Sequence, residues 1–117
     1  MVHSIMVVDD EPDTLYLFEE VLRINGYNVI GFLDPVPALE YIKLHHQEYS
    51  LVISDYKMPT MSGCEFVKKI EELDNRIRII VITALHHIVN NSLKVPIIFK
   101  PITMGHLLDL VKDNIIF

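Results

Sequence analysis

Residues 51–63, "LVISDYKMPTMSG", join a short apolar run to a loop through one carboxylate, Asp55. The four residues before Asp55 are apolar or small, as in a strand that is buried on both faces. Lys57, Pro59 and Gly63 follow, and proline and glycine are residues that shape tight turns. The stretch therefore predicts a buried strand that ends in a fixed acidic residue at the start of a shaped loop.

Strand-like and helix-like segments alternate along the whole chain. The predicted strands cover residues 5–8, 27–33, 51–54, 77–83 and 96–99. Apolar residues at helical spacing predict helices that begin near Pro12, Pro35, Ser62 and Thr103. The first, third, fourth and fifth strands are continuous apolar runs, which is typical of a parallel sheet covered by helices on both faces. We therefore predict one α/β domain over residues 1–117.

Composition narrows the classes of protein to which the chain can belong. The net charge of −6 and the lack of a Lys/Arg cluster argue against a nucleic-acid-binding surface. The apolar runs are too short to cross a bilayer and no signal peptide is evident, so we expect no membrane insertion. The single cysteine, Cys64, rules out an intrachain disulfide framework and favours a cytoplasmic location.

Polar residues stand at the ends of four predicted strands. Asp9 and Asp10 follow the first strand, Asp55 follows the third, Thr83 ends the fourth and Lys100 follows the fifth. Ligands of open parallel sheets bind at the carboxyl ends of the strands. If these four strands are neighbours, the five residues converge on one edge of the sheet.

The chemistry of these residues points to a metal and a phosphoryl group. Three carboxylates in one place repel each other and need a cation, and Mg²⁺ prefers carboxylate and carbonyl oxygens with water or phosphate. A hydroxyl and an ammonium group, from Thr83 and Lys100, suit phosphoryl oxygens. Asp55 leaves the central strand and is therefore placed to be the nucleophile.

Four motifs in this order resemble those of the receiver domain of two-component response regulators. They are "VVDDEP" (7–12), "DYKMPTMSG" (55–63), "TA" (83–84) and "KP" (100–101). The resemblance covers essentially the whole chain. It implies a CheY-like, flavodoxin-like fold, in which a doubly wound five-stranded parallel sheet has the order 2-1-3-4-5 and is flanked by helices.

The resemblance also implies a role for each site residue. Asp55 would accept a phosphoryl group from the phosphohistidine of a histidine kinase or a phosphotransfer protein. Asp9 and Asp10 match the acidic pair that holds Mg²⁺, and Asp55 with the backbone carbonyl of Lys57 would complete the protein ligands.

Thr83 and Lys100 match the pair that binds the phosphoryl group, and Lys100-Pro101 matches a cis peptide position of the family. Phosphorylation would switch binding to a downstream protein. The implied function is a signalling phosphoacceptor, which assists only its own phosphorylation and dephosphorylation and is not otherwise an enzyme.

Two features depart from the family pattern. Sixteen residues separate Thr83 from Lys100, which leaves room for only a short or irregular fourth helix before the fifth strand. The family usually has a tyrosine or phenylalanine three positions before the lysine, and here that position is Ile97. We therefore predict weak or altered coupling between the phosphorylation site and this face.

Two other functions remain open. One is a receiver-like module that binds proteins without being phosphorylated, which the short fourth-helix region and Ile97 favour. The other is a flavodoxin-like enzyme that binds a nucleotide or hydrolyses a phosphoester. We rank the enzyme last, because "DDEP" after the first strand would repel an anion where such enzymes have a glycine-rich loop.

Overall fold

The computed structural model describes residues 4–85 and 93–115 and contains five strands and four α-helices in this part of the chain. The strands are β1 (Ser4–Val8), β2 (Asn28–Phe32), β3 (Tyr49–Ser54), β4 (Arg78–Thr83) and β5 (Ile97–Phe99). The helices are α1 (Pro12–Ile24), α2 (Pro35–His45), α3 (Gly63–Leu73) and α4 (Met104–Asn114). A single 3₁₀ turn, His46–Glu48, joins α2 to β3.

All strands run parallel, in the order β2-β1-β3-β4-β5. The predicted doubly wound sheet and its strand order are therefore confirmed. β3 begins at Tyr49, two residues earlier than its apolar run predicts, because Tyr49 pairs with Ser4 of β1. The predicted short or irregular helix between β4 and β5 falls on residues 86–92, which lie outside the described ranges, so it stays a prediction.

The sheet separates two hydrophobic cores, because successive residues of a strand point to opposite faces. On one face, α2 and α3 cover the sheet with Leu39, Ile42, Phe66 and Ile70. On the other face, α1 and α4 cover it with Phe18, Leu22, Leu107 and Val111. Every residue of β1 is buried, which explains the unbroken apolar run from Ile5 to Val8. None of the described helices has the length and apolar character needed to cross a bilayer.

Side-chain caps fix where three of the helices begin. Asp34 accepts a hydrogen bond from the Val36 N–H at the start of α2. Ser62 accepts one from the Glu65 N–H at the start of α3, and Thr103 caps α4 in the same way. The loops between the strands and these helices therefore have defined ends.

Gly63 lets α3 start directly against the loop that carries Asp55. A Cβ atom at this position would lie 2.6 Å from the Tyr56 Cα and 2.7 Å from the Asp55 carbonyl oxygen. Both neighbours are backbone atoms, so the loop would have to move. Gly105, in the first turn of α4, has open space where its Cβ would be.

We predict that Gly63→Ala lowers the free energy of unfolding by about 1–3 kcal/mol, because the added methyl group overpacks the loop. Gly105→Ala is the matched control and should be neutral or stabilising by about 0.5–1 kcal/mol. Urea denaturation measures both variants. Equal effects of the two substitutions would contradict the close approach at Gly63.

Candidate functional site

Backbone hydrogen bonds beyond the strand ends hold the polar residues in place. The Asp9 N–H donates to the Phe32 carbonyl over 3.1 Å, and the Asp55 N–H donates to the Val8 carbonyl over 2.9 Å. The ladder between β1 and its two neighbours thus continues one residue past the strands. The starting points of both acidic side chains are fixed by the sheet.

Lys100 connects the two carboxylates. Its Nζ lies 2.8 Å from Asp9 Oδ2 and 3.2 Å from Asp55 Oδ2. Its backbone N–H donates to the Thr83 carbonyl over 2.7 Å, which fixes the residue after β5 beside the end of β4. The side chains of Asp9, Asp55 and Lys100 are all largely buried, so solvent screens these contacts weakly.

Asp10 completes an acidic cluster at the same edge. Asp9, Asp10 and Asp55 each offer a carboxylate oxygen, and these oxygens lie within 4.8 Å of one another. Asp9 is only 2% exposed, whereas the neighbouring Asp10 is exposed to solvent. Three hard oxygen donors at this separation fit a divalent cation such as Mg²⁺ or Ca²⁺.

The surroundings raise the pKa values of both Asp9 and Lys100. The shift disfavours the charged form of the carboxyl group and favours the charged form of the amine. Burial raises the pKa of Asp9, and the charge of Asp55 adds to this, although Lys100 and the Glu11 N–H oppose it. Burial alone would lower the pKa of Lys100, but its contacts with Asp9 and Asp55 outweigh burial and raise that pKa. Lys100 therefore stays charged at neutral pH.

The loop after β3 is held at both of its ends. The Tyr56 N–H donates to Asp55 Oδ1 over 2.7 Å, and the Ser54 hydroxyl donates to the Asp55 carbonyl over 2.7 Å. Further along, the Thr60 hydroxyl donates to Asp34 Oδ1 over 2.7 Å, which ties the loop to the start of α2. Lys57 lies in this loop with its side chain exposed.

The Thr60–Asp34 contact was not predicted from the sequence. The two residues are 26 positions apart, and each has an ordinary local role in a turn or cap. Only the packing of α2 beside the β3–α3 loop brings them together.

Thr83 ends β4 and is 1% exposed. Its hydroxyl oxygen accepts a hydrogen bond from the Leu85 N–H over 3.2 Å. The hydroxyl proton remains able to donate to an anion. Thr83 thus lies at the carboxyl end of the sheet, as the strand-end pattern predicts.

The segment around Lys100 follows the family pattern at one position and departs from it at another. The Lys100–Pro101 peptide bond is cis, as the resemblance implies. Ile97 is partly buried against the core under α2 and α3, while Phe99 is 42% exposed. The position that is usually aromatic is therefore filled by an aliphatic side chain packed on the core.

We predict that Asp9→Asn raises the free energy of unfolding, and that the gain is larger at pH 7 than at pH 4. The pKa of Asp9 is raised from its ordinary value of 3.8, so its cost to the fold grows as the pH rises through the folded-state pKa. Asparagine keeps the shape of the side chain and removes the buried charge.

Urea denaturation at the two pH values measures this effect. Asp10→Asn is the control, because that side chain is exposed and carries a smaller burial cost. A loss of stability in Asp9→Asn at pH 7 would contradict the assigned cause of the pKa shift.

Comparison with known proteins agrees with this fold. Residues 5–112 match the family model described as the response regulator receiver domain. The chain is 31% identical over 86 residues to the polar-differentiation response regulator DivK of Brucella ovis, which covers 72% of this chain and 68% of DivK. Several other curated relatives are much longer, and the match covers only 7–27% of their length.

Solved structures show the same fold. A receiver domain from Clostridium thermocellum has a TM-score of 0.88 at 24% identity, with 97% of this chain and 94% of that chain covered. The Borrelia burgdorferi complex described as CheX-CheY-BeF3-Mg+2 has a TM-score of 0.84 at 26% identity, with 95% and 87% covered. The family model spans most of the sequence, so the chain belongs to the response regulator receiver domain family of two-component systems.

Proposed function

We propose that this chain is a phosphoacceptor receiver in which Asp55 accepts a phosphoryl group from a phosphohistidine. The observation that carries the proposal is the bridge from Lys100 Nζ to Asp9 and Asp55 at the carboxyl edge of the sheet. The bridge supports the proposal because the Asp55 carboxylate lies beside a fixed cation, and the Thr83 hydroxyl is at the end of β4. Membership of the receiver family supports the same role.

The proposed step is a simple transfer. A carboxylate oxygen of Asp55 attacks the phosphorus atom, and the P–N bond to the donor imidazole breaks with its electron pair returning to nitrogen. A hydrogen bond from the Tyr56 N–H orients the carboxylate. Because the Asp55 N–H is held by the Val8 carbonyl, the nucleophile is positioned by the sheet rather than by a mobile loop.

Asp9, Asp10, Asp55 and the backbone carbonyl of Lys57 are the groups that we propose hold Mg²⁺. The chemistry that Mg²⁺ supplies when bound is partial neutralisation of the carboxylates and of the phosphoryl oxygens. The close spacing of the three carboxylates supports this assignment. Mg²⁺ also appears in the description of the Borrelia burgdorferi CheX–CheY complex.

Lys100 and Thr83 are proposed to bind the new phosphoryl oxygens. Lys100 Nζ already lies 3.2 Å from Asp55 Oδ2, so a group attached to Asp55 comes within reach of the ammonium. The Thr83 hydroxyl can donate to a second oxygen. The Lys100 N–H donates to the Thr83 carbonyl, so the two residues are held side by side.

The proposed partners are a histidine kinase or phosphotransfer protein as donor and a downstream protein as target. We propose that residues 1–117 form one receiver domain that works in the cytoplasm as a signalling phosphoacceptor. Its own chemistry is limited to gaining and losing the phosphoryl group. The CheX–CheY pairing named for the Borrelia burgdorferi structure supports a protein target.

The alternative is a receiver that binds proteins without being phosphorylated. Ile97 favours it, because the position usually taken by the switching aromatic holds an aliphatic side chain packed on the core. The converging Asp9, Asp55 and Lys100 side chains favour phosphorylation instead.

We predict that incubation with acetyl phosphate and Mg²⁺ adds one phosphoryl group, seen by intact-protein mass spectrometry. Asp55→Asn should show no adduct, because it removes the nucleophile. Asp13→Asn, an exposed acid on α1 outside the cluster, is the matched control and should be labelled like the parent protein.

Lack of an adduct on the parent protein, together with no binding of beryllofluoride, would reject the phosphoacceptor role and favour the alternative. An adduct on both Asp55→Asn and the parent protein would instead show that another residue is the acceptor.

A further inference from the structure

Two neighbouring cavities lie at the amino ends of the strands, at the opposite end of the sheet from Asp55. A cavity of about 430 Å³ lies by the 3₁₀ turn and the start of β3. A cavity of about 500 Å³ lies between the start of β4, the segment before β5 and the end of α4. Arg76, Ile77 and Arg78 line both cavities, which we therefore describe together as the amino-edge groove.

The short β5 explains the second cavity. Pairing between β4 and β5 begins with Val81 opposite Ile97. Within the described ranges, residues 78–80 of β4 therefore have no β5 partner on that side. Pro96, just before β5, has no N–H to extend the ladder, although its carbonyl accepts from the Val81 N–H. The sheet stays open beside the first half of β4.

A buried carboxylate fixes one cation of this groove. Asp74 accepts hydrogen bonds from Arg76 Nε at 3.0 Å and Arg76 Nη2 at 3.1 Å. It also contacts His46 Nδ1 at 2.8 Å. These contacts, Arg76 first, hold the pKa of the Asp74 carboxyl well below its usual range. Asp74 is therefore an anion, and His46 Nδ1 must carry the proton that bonds to it.

The outer part of Arg76 is preorganised to bind an anion. Asp74 uses the Nε–Nη2 side of the guanidinium group, so the Nη1–Nη2 side is left to face other groups. The Arg76 side chain is 75% exposed, so this side is accessible. A guanidinium held in this way loses little entropy when it binds a carboxylate with two hydrogen bonds.

Two more cations line the groove without being neutralised. Arg78 and Lys94 are exposed, and neither has an ion-pair partner in the part of the chain that the structure describes. Glu71 is the one acidic side chain among the residues that line the second cavity. With Asp74 in the first cavity, the groove holds two carboxylates against the three cations Arg76, Arg78 and Lys94, so it is net positive in a chain whose net charge is −6.

We propose that the amino-edge groove binds an acidic, partly apolar segment of a partner protein. Carboxylates of the segment would pair with Arg76, Arg78 and Lys94, and its apolar side chains would contact Ile77 and Val95, which line the second cavity. A peptide fits better than a compact anion, because the cations border two adjacent cavities and not one closed pocket.

This interaction is independent of the phosphoryl chemistry. Asp55 lies at the carboxyl end of β3, whereas the groove lies at the amino ends of β3 and β4. A partner in the groove would leave the acidic cluster accessible. The groove would therefore bind its partner whether or not the chain is phosphorylated.

The test is a two-dimensional NMR titration of the full chain with a short blocked peptide of alternating glutamate and valine. We expect saturable amide shifts confined to residues 76–79 and 93–95 and the neighbouring 3₁₀ turn, and an affinity that falls as salt is added. Asp55→Asn should bind equally well. A charge-reversed peptide of lysine and valine should produce no such shifts.

Charge-reversal variants locate the site. Arg78→Glu and Lys94→Glu should each weaken binding by about tenfold or more, whereas Lys68→Glu, an exposed lysine on α3, should not. Arg78→Gln and Lys94→Gln repeat the test with a milder change if a reversed charge disturbs folding.

Three results would overturn the proposal. The first is that the acidic peptide causes no saturable shifts. The second is that Lys68→Glu loses as much affinity for the peptide as Arg78→Glu and Lys94→Glu do. The third is that inorganic pyrophosphate binds at the same residues with the same affinity as the peptide. The last result would make the groove a small-anion site.

Discussion

The contact of the Lys100 ammonium with Asp9 and Asp55 is the interaction on which the rest of the site depends. Asp9 is buried, and its charge is costly without a cation beside it. One ammonium group cannot neutralise two carboxylates and the nearby Asp10. The cluster therefore keeps an excess of negative charge in a fixed position, which is the condition for binding a divalent cation.

The sheet explains how such a costly arrangement is held together. Each side chain of the bridge leaves the carboxyl end of a different strand, and backbone hydrogen bonds fix the residues at those ends. The two hydrophobic cores provide the stability that offsets the cost of burying and crowding the carboxylates. β1 and β3 are inner strands of the sheet, and hydrogen bonds to neighbouring strands hold the backbone of Asp9 and Asp55.

Much of this arrangement follows from the sequence, because parallel strands place their carboxyl ends together. The unbroken apolar runs before Asp9 and Asp55 indicate both the sheet and the positions of the acids. The pattern does not show which of Asp9 and Asp10 is buried, since that depends on which way each side chain turns after β1. Contacts between distant loops, such as Thr60–Asp34 and His46–Asp74, also depend on how the helices pack.

The two ends of the sheet have opposite electrostatic character. The carboxyl end concentrates carboxylates around Lys100, whereas the amino end presents Arg76, Arg78 and Lys94. If both proposals hold, a phosphoryl group is received at one end of the sheet while a partner is held at the other. The short β5 contributes to both ends of the sheet. It brings Lys100 to the acidic cluster and leaves the start of β4 without a β5 partner.

An NMR titration of the unphosphorylated chain with Mg²⁺, followed by beryllofluoride, tests the site around Lys100 most directly. Mg²⁺ should first shift the amides of Asp9, Asp10, Asp55 and Lys57, and beryllofluoride should then shift those of Thr83 and Lys100. In Lys100→Met, the Mg²⁺ shifts should persist and the beryllofluoride response should be lost or strongly weakened. Mg²⁺ shifts located elsewhere, or an unchanged beryllofluoride response without Lys100, would contradict the account.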